Sequence, residues 1–179
     1  SSDTKGNKST AIGLETLGVQ NFTSSTDTHN TAIGFQAGAS VTTGIRNTLI
    51  GSTAGVSLTS GNYNTALGYI ALDADTQGQS SVAIGYGALG AQNFTSATDT
   101  YNVAVGLDAG KAITTGIRNT IIGGAAGDSL TDADYNVAVG VGALGADTQG
   151  SRSVAIGYNA LNVQNFSSAT NSANTAVGY

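Results

Sequence analysis

The sequence contains the phrase Asn30-Thr31-Ala32-Ile33-Gly34, and close variants of it recur along the whole chain. Two of these variants are Ser81-Val82-Ala83-Ile84-Gly85 and Asn102-Val103-Ala104-Val105-Gly106. The closing glycines, which we call the glycine row, are Gly13, Gly34, Gly51, Gly68, Gly85, Gly106, Gly123, Gly140, Gly157 and Gly178. Successive members of the row are 21, 17, 17 and 17 residues apart, and the same series then begins again. A period in this range is typical of solenoids.

Four such coils make a longer repeat of about 72 residues, which is the distance from Gly13 to Gly85 and from Gly85 to Gly157. We therefore interpret residues 1–179 as one repetitive segment, with super-repeats at about 13–84 and 85–156 and a partial one at 157–179. Each phrase predicts a strand, because Thr, Val and Ile dominate it and apolar side chains occupy both faces. The pattern predicts an all-β fold, a parallel β-solenoid or β-roll of about 17-residue coils with a 21-residue coil at every fourth rung. A second short extended segment is expected after each glycine, for example at 35–38.

The coils exchange large side chains in a way that indicates a shared core. The fourth residue after each glycine is Leu in some coils, such as Leu72, and Gly in others, such as Gly55. Where it is Gly, the residue three places later is apolar, as at Leu58, and where it is Leu that residue is polar, as at Asp75. One large aliphatic side chain per coil is thus kept, which a narrow, close-packed core requires.

An asparagine precedes most of the strands, at 30, 47, 64, 102, 119, 136 and 174. In stacked coils these amides would lie in register and could hydrogen-bond up the stack. Asparagine also simply suits a turn. The sequence leaves both interpretations open.

Composition excludes several classes of function. The net charge of −5 argues against a nucleic-acid binder, which needs a basic stripe. No cysteine is present, so neither disulfides nor thiolate metal sites are expected, and no apolar run is long enough for a membrane span. We find no catalytic constellation, so the chain is interpreted as a non-enzyme with no catalytic, cofactor or metal residues. His29 is the sole histidine and lacks the partners that a base or a metal ligand needs.

The phrases Ser-Val-Ala-Ile-Gly (81–85 and 153–157), Asn-Thr-Ala-Ile-Gly (30–34) and Asn-Val-Ala-Val-Gly (102–106 and 136–140) resemble the head repeats of trimeric autotransporter adhesins. They are equally similar to repeats of bacteriophage tail fibres, in which runs like 30–38 recur. This resemblance implies a parallel β-roll, three chains side by side, and a place outside the cell or on a virion. The coil spacing is longer than is typical of the adhesin heads, and no coiled-coil stalk is present, which favours the fibre.

The long coils and two arginines are the candidate contact residues for another chain or a receptor. Each long coil has an insert with one aromatic residue, Phe22, Phe94 or Phe166, and insertions on one face of a solenoid often form its binding face. The alternative is that each ring covers its own core. Arg46 and Arg118 occupy equivalent turns and either join chains or remain solvated. The inserts also contain the sequons at Asn21, Asn93 and Asn165, which matter only in a glycosylating host. Asp73, Asp75 and Asp147 are interpreted as solvated turn carboxylates rather than as a weak cation site.

These observations lead to three hypotheses. The first is a structural segment of an extracellular or virion fibre, which associates with copies of itself as a trimer, head to tail, or both. The second is an adhesin that recognises a surface glycan or protein through the inserts. The third, ice binding, ranks low because Val82, Val103, Val137 and Val154 interrupt the row of threonines that a regular ice-binding face needs.

Overall fold

The structure is a computed structural model that describes residues 5–179, and its regular elements in that range are all short strands. Ten strands have three residues: β2 (Thr10–Ile12), β4 (Thr31–Ile33), β5 (Thr48–Ile50), β6 (Thr65–Leu67), β8 (Val82–Ile84), β10 (Val103–Val105), β11 (Thr120–Ile122), β12 (Val137–Val139), β14 (Val154–Ile156) and β16 (Thr175–Val177). Six have two residues: β1 (Gly6–Asn7), β3 (Thr26–Asp27), β7 (Gly78–Gln79), β9 (Thr98–Asp99), β13 (Gly150–Ser151) and β15 (Thr170–Asn171).

The ten longer strands form one parallel sheet in which each strand pairs with the next one along the glycine row. The register keeps equivalent residues together: Thr31 pairs with Thr48, Ala32 with Leu49 and Ile33 with Ile50. We number the coils 1 to 10, so that coil 1 contains Gly13 and coil 10 contains Gly178. The predicted all-β parallel solenoid is confirmed. The phrase before each glycine therefore forms one side of the solenoid, along its full length.

The segment after each glycine differs from the sequence prediction. It is a turn, whereas an extended segment was expected there. The second and fourth residues after the glycine have left-handed backbone, as in Gln36 (φ 54°) and Gly38 (φ 58°), and the fifth residue before it does so too, as in Arg46 (φ 59°). Left-handed backbone costs a non-glycine residue about 1–2 kcal/mol. Hydrogen bonds between coils hold it: the Gln36 amide donates to the Leu14 carbonyl at 2.9 Å.

The core is narrow and its filling follows the exchange seen in the sequence. Leu58 in coil 3 and Leu72 in coil 4 are both fully buried, although they occupy different positions in their coils. Leu49 adds a contribution that the sequence analysis missed, because it replaces the alanine of the strand centre. Its methyl groups fill the space beside Gly38 and Gly55, where an added Cβ would lie 2.7 and 2.8 Å from them. Ile121 is the equivalent residue one super-repeat later and does the same beside Gly127.

The extra residues of each long coil form a second, smaller ladder. β3 pairs in parallel with β1, β9 with β7, and β15 with β13. In the second of these pairs, Gly78 lies opposite Thr98 and Gln79 opposite Asp99. Each insert is therefore hydrogen-bonded back onto the shorter coil that precedes it in the stack.

The asparagines form a buried ladder whose hydrogen-bonding partners are mostly backbone groups. The side-chain oxygen of Asn47 accepts from the Asn64 amide at 2.9 Å, and its nitrogen donates to the Gly61 carbonyl at 2.8 Å. Asn47 and Asn64 are almost fully buried, at 0% and 1% exposure. The buried asparagines, Asn30, Asn47, Asn64, Asn102, Asn119 and Asn136, thus each satisfy two polar groups of the next coil, which a turn preference alone does not explain.

We expect Asn47→Ala to lower the free energy of unfolding by about 2–4 kcal/mol, because it leaves the buried Asn64 amide and the Gly61 carbonyl without partners. Urea unfolding followed by circular dichroism measures the loss. Asn21→Ala, at an exposed asparagine, is the matched control and should change stability by less than about 0.5 kcal/mol. Equal effects of the two substitutions would contradict a structural role for the ladder.

Candidate interaction surfaces

The glycine row is a stack in which successive backbones touch. Gly123 has a φ of 136°, and a Cβ added to it would lie 2.5 Å from the Gly140 carbonyl oxygen. The same geometry recurs along the row, for example at Gly34 against Gly51. Glycine is required at these positions both for its positive φ and for the close approach of the next coil. The consequence is a flat line of backbone along one edge of the sheet.

A long apolar surface flanks this line, and we call it the apolar strip: the residues directly before and directly after each glycine of the row. Most of the exposed large apolar side chains of residues 5–179 belong to it. They are Ile12, Leu67, Ile122, Ile156 and Val177 before the glycine, and Leu14, Phe35, Tyr69, Tyr86, Leu107, Val141, Tyr158 and Tyr179 after it. Tyr69 packs on Tyr86 with ring centres 5.6 Å apart. Ten rungs at about 4.8 Å each make the strip roughly 45 Å long.

The fifth residue before each glycine contributes to an exposed column, which we call the cation–tyrosine ladder. Its members are Lys8, His29, Arg46, Tyr63, Ser80, Tyr101, Arg118, Tyr135, Arg152 and Ala173. Four of the six Lys and Arg residues of this acidic chain are in this column. The Arg118 guanidinium lies between two rings, 5.9 Å from the centre of Tyr101 and 5.3 Å from that of Tyr135. Arg152 covers the Tyr135 ring at 5.6 Å.

The ladder therefore holds both predicted arginines in place. Arg46 lies 5.3 Å above the Tyr63 ring and donates to the Tyr63 hydroxyl at 2.6 Å. Arg118 makes the equivalent hydrogen bond to Tyr135. Cation–π pairs at exposed sites are each worth about 0.5–1 kcal/mol, so these contacts orient the guanidinium groups more than they stabilise the fold. Both arginines are exposed, so their remaining N–H groups can meet an acceptor of another molecule.

The other side of the apolar strip is acidic and contains a groove. Glu15, Asp73, Asp108 and Asp128 occupy the second or fifth position after their glycines, and we call them the acidic edge. Partial burial raises the pKa of Asp128, and the nearby Asp108 adds to this effect. Lys111 lies 3.3 Å from Asp108. The groove has a volume of about 450 Å³ and runs over coils 7 to 9.

Coil 8 contributes two glycines to the groove, Gly142 and Gly145, and the Asn159 side chain of coil 9 lies against Gly142. Gly142 and Gly145 form its floor, Asp128 of coil 7 bounds one end, and Asn159 and Asn162 of coil 9 bound the other. The Asn162 nitrogen donates to the Asn159 side-chain oxygen at 2.8 Å and to the Gly142 carbonyl at 3.2 Å. The groove is thus a shallow notch with polar groups at both ends.

The predicted insert phenylalanines pack against their own coils. Phe22 and Phe94 are each 8% exposed, and Phe166 is half-buried beside Gly150. The structure therefore favours the interpretation in which each ring covers the core. What the inserts present to solvent is polar, such as Thr23, Ser24 and Ser25.

Buried carboxyl groups anchor the inserts, so the interpretation of Asp75 and Asp147 as solvated is wrong. Both are fully buried. Asp75 accepts from the amides of Gly78 at 3.0 Å and Phe94 at 3.1 Å, and from the Gln92 side chain at 2.6 Å. Asp147 has the equivalent contacts. Their position in the coil is the one that holds Leu58 elsewhere, and this equivalence indicates an inward side chain.

The remaining sequence candidates lie on the surface. His29 is exposed within the cation–tyrosine ladder, and the sequon residues Asn21, Asn93 and Asn165 are exposed in the inserts. Within residues 5–179, no three or more His, Cys, Asp or Glu side chains group in a way that could hold a metal ion. No helix of this part of the chain is long and apolar enough to cross a membrane.

No protein-family model, curated protein or solved structure matches the chain.

Proposed function

We propose that this chain is a structural segment of an extracellular or virion fibre, in which parallel copies associate laterally through the apolar strip. The observation that carries the proposal is an uninterrupted ten-rung stack with exposed apolar side chains along one side. Monomeric soluble proteins rarely expose contiguous apolar surfaces larger than a few hundred Å², and larger ones mark interaction sites. A second copy of a repetitive chain has the same length and the same periodicity as the strip.

The solenoid itself suits a stiffening role. Every coil hydrogen-bonds to its neighbours through the sheet and the turns, and most coils also do so through the asparagine ladder. Charged residues make up only 9% of the chain, so little electrostatic repulsion opposes the stacking of coils or of chains. These features support a mechanical function that needs neither a cofactor nor a catalytic group.

Electron microscopy and sedimentation of the purified chain test this proposal. Rods or filaments composed of several chains are the expected result. A monomer at micromolar concentration would overturn the proposal.

A double variant tests the role of the strip. Tyr86→Asp with Leu107→Asp places two charges on neighbouring rungs, at side chains that are 47% and 60% exposed, so the coil should still fold. We expect the apparent dissociation constant for self-association to rise at least about 100-fold, because each buried charge would lack a partner. The matched control is Ala97→Asp in an exposed part of an insert, which should leave association unchanged. Association that survives the double variant would place the contact elsewhere.

Adhesion through the inserts is the second candidate. The three inserts are in register, four rungs or roughly 19 Å apart, and they present similar polar residues. Since the rings are largely buried, exposed residues such as Thr95 and Ser96 would make the contact. Loss of binding to host cells in Thr95→Ala with Ser96→Ala, while the fibre remains intact, would favour this function.

A further inference from the structure

We propose that the cation–tyrosine ladder of one copy docks into the groove and acidic edge of the next copy at the same axial level. This inference rests on the proposed self-association and specifies its geometry. With three or more copies around an axis, this makes each lateral contact heterologous: two different surfaces meet, one from each copy. The groove between coils 7 and 9 is then a socket for part of a second copy of this chain.

The first argument is the placement of charge. Along the strand direction the surface runs from the ladder, across the apolar strip, to the acidic edge. The ladder contains Arg46, Arg118 and Arg152, whereas the opposite margin contains Glu15, Asp73, Asp108 and Asp128. That margin also contains one cation, Lys111, which pairs with Asp108, so Glu15, Asp73 and Asp128 are its carboxylates that form no ion pair within residues 5–179. Two copies that meet through identical surfaces in antiparallel orientation would bring like margins together. Copies arranged around an axis parallel to the solenoid bring the positive margin of each one against the acidic margin of its neighbour, which is electrostatically complementary.

The second argument is that the facing residues of two copies lie at the same height along the solenoid axis. Rotation about such an axis involves no shift along it, so coil 7 meets coil 7 and coil 8 meets coil 8. Arg118 then faces Asp128, both in coil 7. Tyr135 faces the floor formed by Gly142 and Gly145, all three in coil 8. Arg152 faces the amides of Asn159 and Asn162 in coil 9.

The third argument is shape. Tyr135 is 43% exposed and lies between Arg118 and Arg152, so it forms a projection that is oriented by two cation–π contacts. The groove is lined by Gly142 and Gly145 of coil 8 and by Val141 of the apolar strip. The socket is thus continuous with the surface that we propose to be buried. Lys8 is not part of the argument, because Asp27 of the same chain already pairs with it at 2.7 Å.

Cysteine cross-linking tests this geometry directly, because the chain has no cysteine of its own. Tyr135→Cys places a thiol on the ladder and Ala146→Cys places one in the groove wall. An equimolar mixture of the two single variants, assembled together and oxidised, should give a covalent dimer on a non-reducing gel. Neither variant alone should do so. A dimer from Tyr135→Cys alone would mean that two ladders meet, and no dimer in any sample would mean that the groove is not the socket. Either result overturns the inference.

A charge exchange gives an independent readout. Arg118→Asp and Asp128→Arg should each weaken self-association roughly 10- to 100-fold, and the double variant should recover most of the loss, because the pair is restored with its signs reversed. Asp132→Arg is the matched control, an exposed carboxylate at a turn outside both surfaces, and should have no effect. If the chain is monomeric, the proposed function fails and this inference fails with it. If it associates but shows neither cross-link nor rescue, the fibre proposal stands and this docking geometry is wrong.

Discussion

Replacing Gly123 with alanine is expected to destabilise the solenoid by roughly 3–6 kcal/mol, whereas the same replacement at the adjacent Gly124 should be harmless. At Gly123 the new Cβ meets the Gly140 carbonyl oxygen at 2.5 Å, and the residue has a φ of 136°. Neither the backbone conformation nor the coil spacing can adjust without breaking the strand pairing of the sheet on both sides. The stack should therefore open at coils 7 and 8.

Gly124 is an unusually close control, because it differs from Gly123 by one position and undergoes the same chemical change. A Cβ added to Gly124 meets nothing within 4 Å. It occupies the apolar strip, where the other coils have Leu, Phe, Tyr or Val, and Ser in coil 3. Gly124→Ala is expected to leave the free energy of unfolding unchanged or to raise it by up to about 1 kcal/mol, because alanine reduces the conformational entropy of the unfolded chain. Urea midpoints of the two variants measure the difference. Similar midpoints would show that the glycine row does not limit the spacing of the coils.

Asp75→Ala is expected to lower the free energy of unfolding by about 3–5 kcal/mol, since it removes the acceptor of three buried donors at once. Those donors are the amides of Gly78 and Phe94 and the side chain of Gln92. The Phe94 amide belongs to the insert of the following coil, so the loss should begin there. Hydrogen exchange measured by mass spectrometry should show faster exchange in residues 92–100 than elsewhere.

The control for Asp75 is Asp99→Ala, which removes an exposed carboxyl group from the same insert. It should change stability by less than about 0.5 kcal/mol and leave the exchange pattern unchanged. Uniformly faster exchange in Asp75→Ala would indicate that the solenoid opens as one unit and that Asp75 is not a local anchor.

The fold could be predicted from the sequence because every coil has the same backbone conformation. The regular spacing of the glycine row therefore reveals the length and number of the coils. The exchange between Leu72 and Leu58 was readable for the same reason, since a narrow core has room for one large side chain per coil. The left-handed turns could not be predicted from the sequence. Residues such as Arg46 and Tyr63 have left-handed backbone that their side chains disfavour, and hydrogen bonds to neighbouring coils are what hold it.

The candidate interaction surfaces could be predicted from the sequence only in part. Arg46 and Arg118 were identified as equivalent turn residues, but their stacking on tyrosines depends on side chains 17 residues away in the sequence. Aligning the coils one under another places Tyr101, Arg118 and Tyr135 in one column. Asp75 was misinterpreted because polar turn residues are usually solvated, although its column holds Leu58 and therefore points inward. The residue type of Asp75 suggested a solvated side chain, whereas its position within the coil indicated a buried one.

The left-handed columns also determine where this molecule can diversify. At the fifth residue before the glycine the chain has Lys, His, Arg, Tyr, Ser and Ala, and at the second residue after it Glu, Gln, Thr, Ile, Asp, Ala, Asn and Gly. The main chain there is fixed by its neighbours above and below, while the side chains project away from the core. Shape and surface identity are thus encoded by separate columns of the same repeat. A lineage of such proteins can therefore change its outer margins, one coil at a time, while the rod beneath keeps its length and pitch.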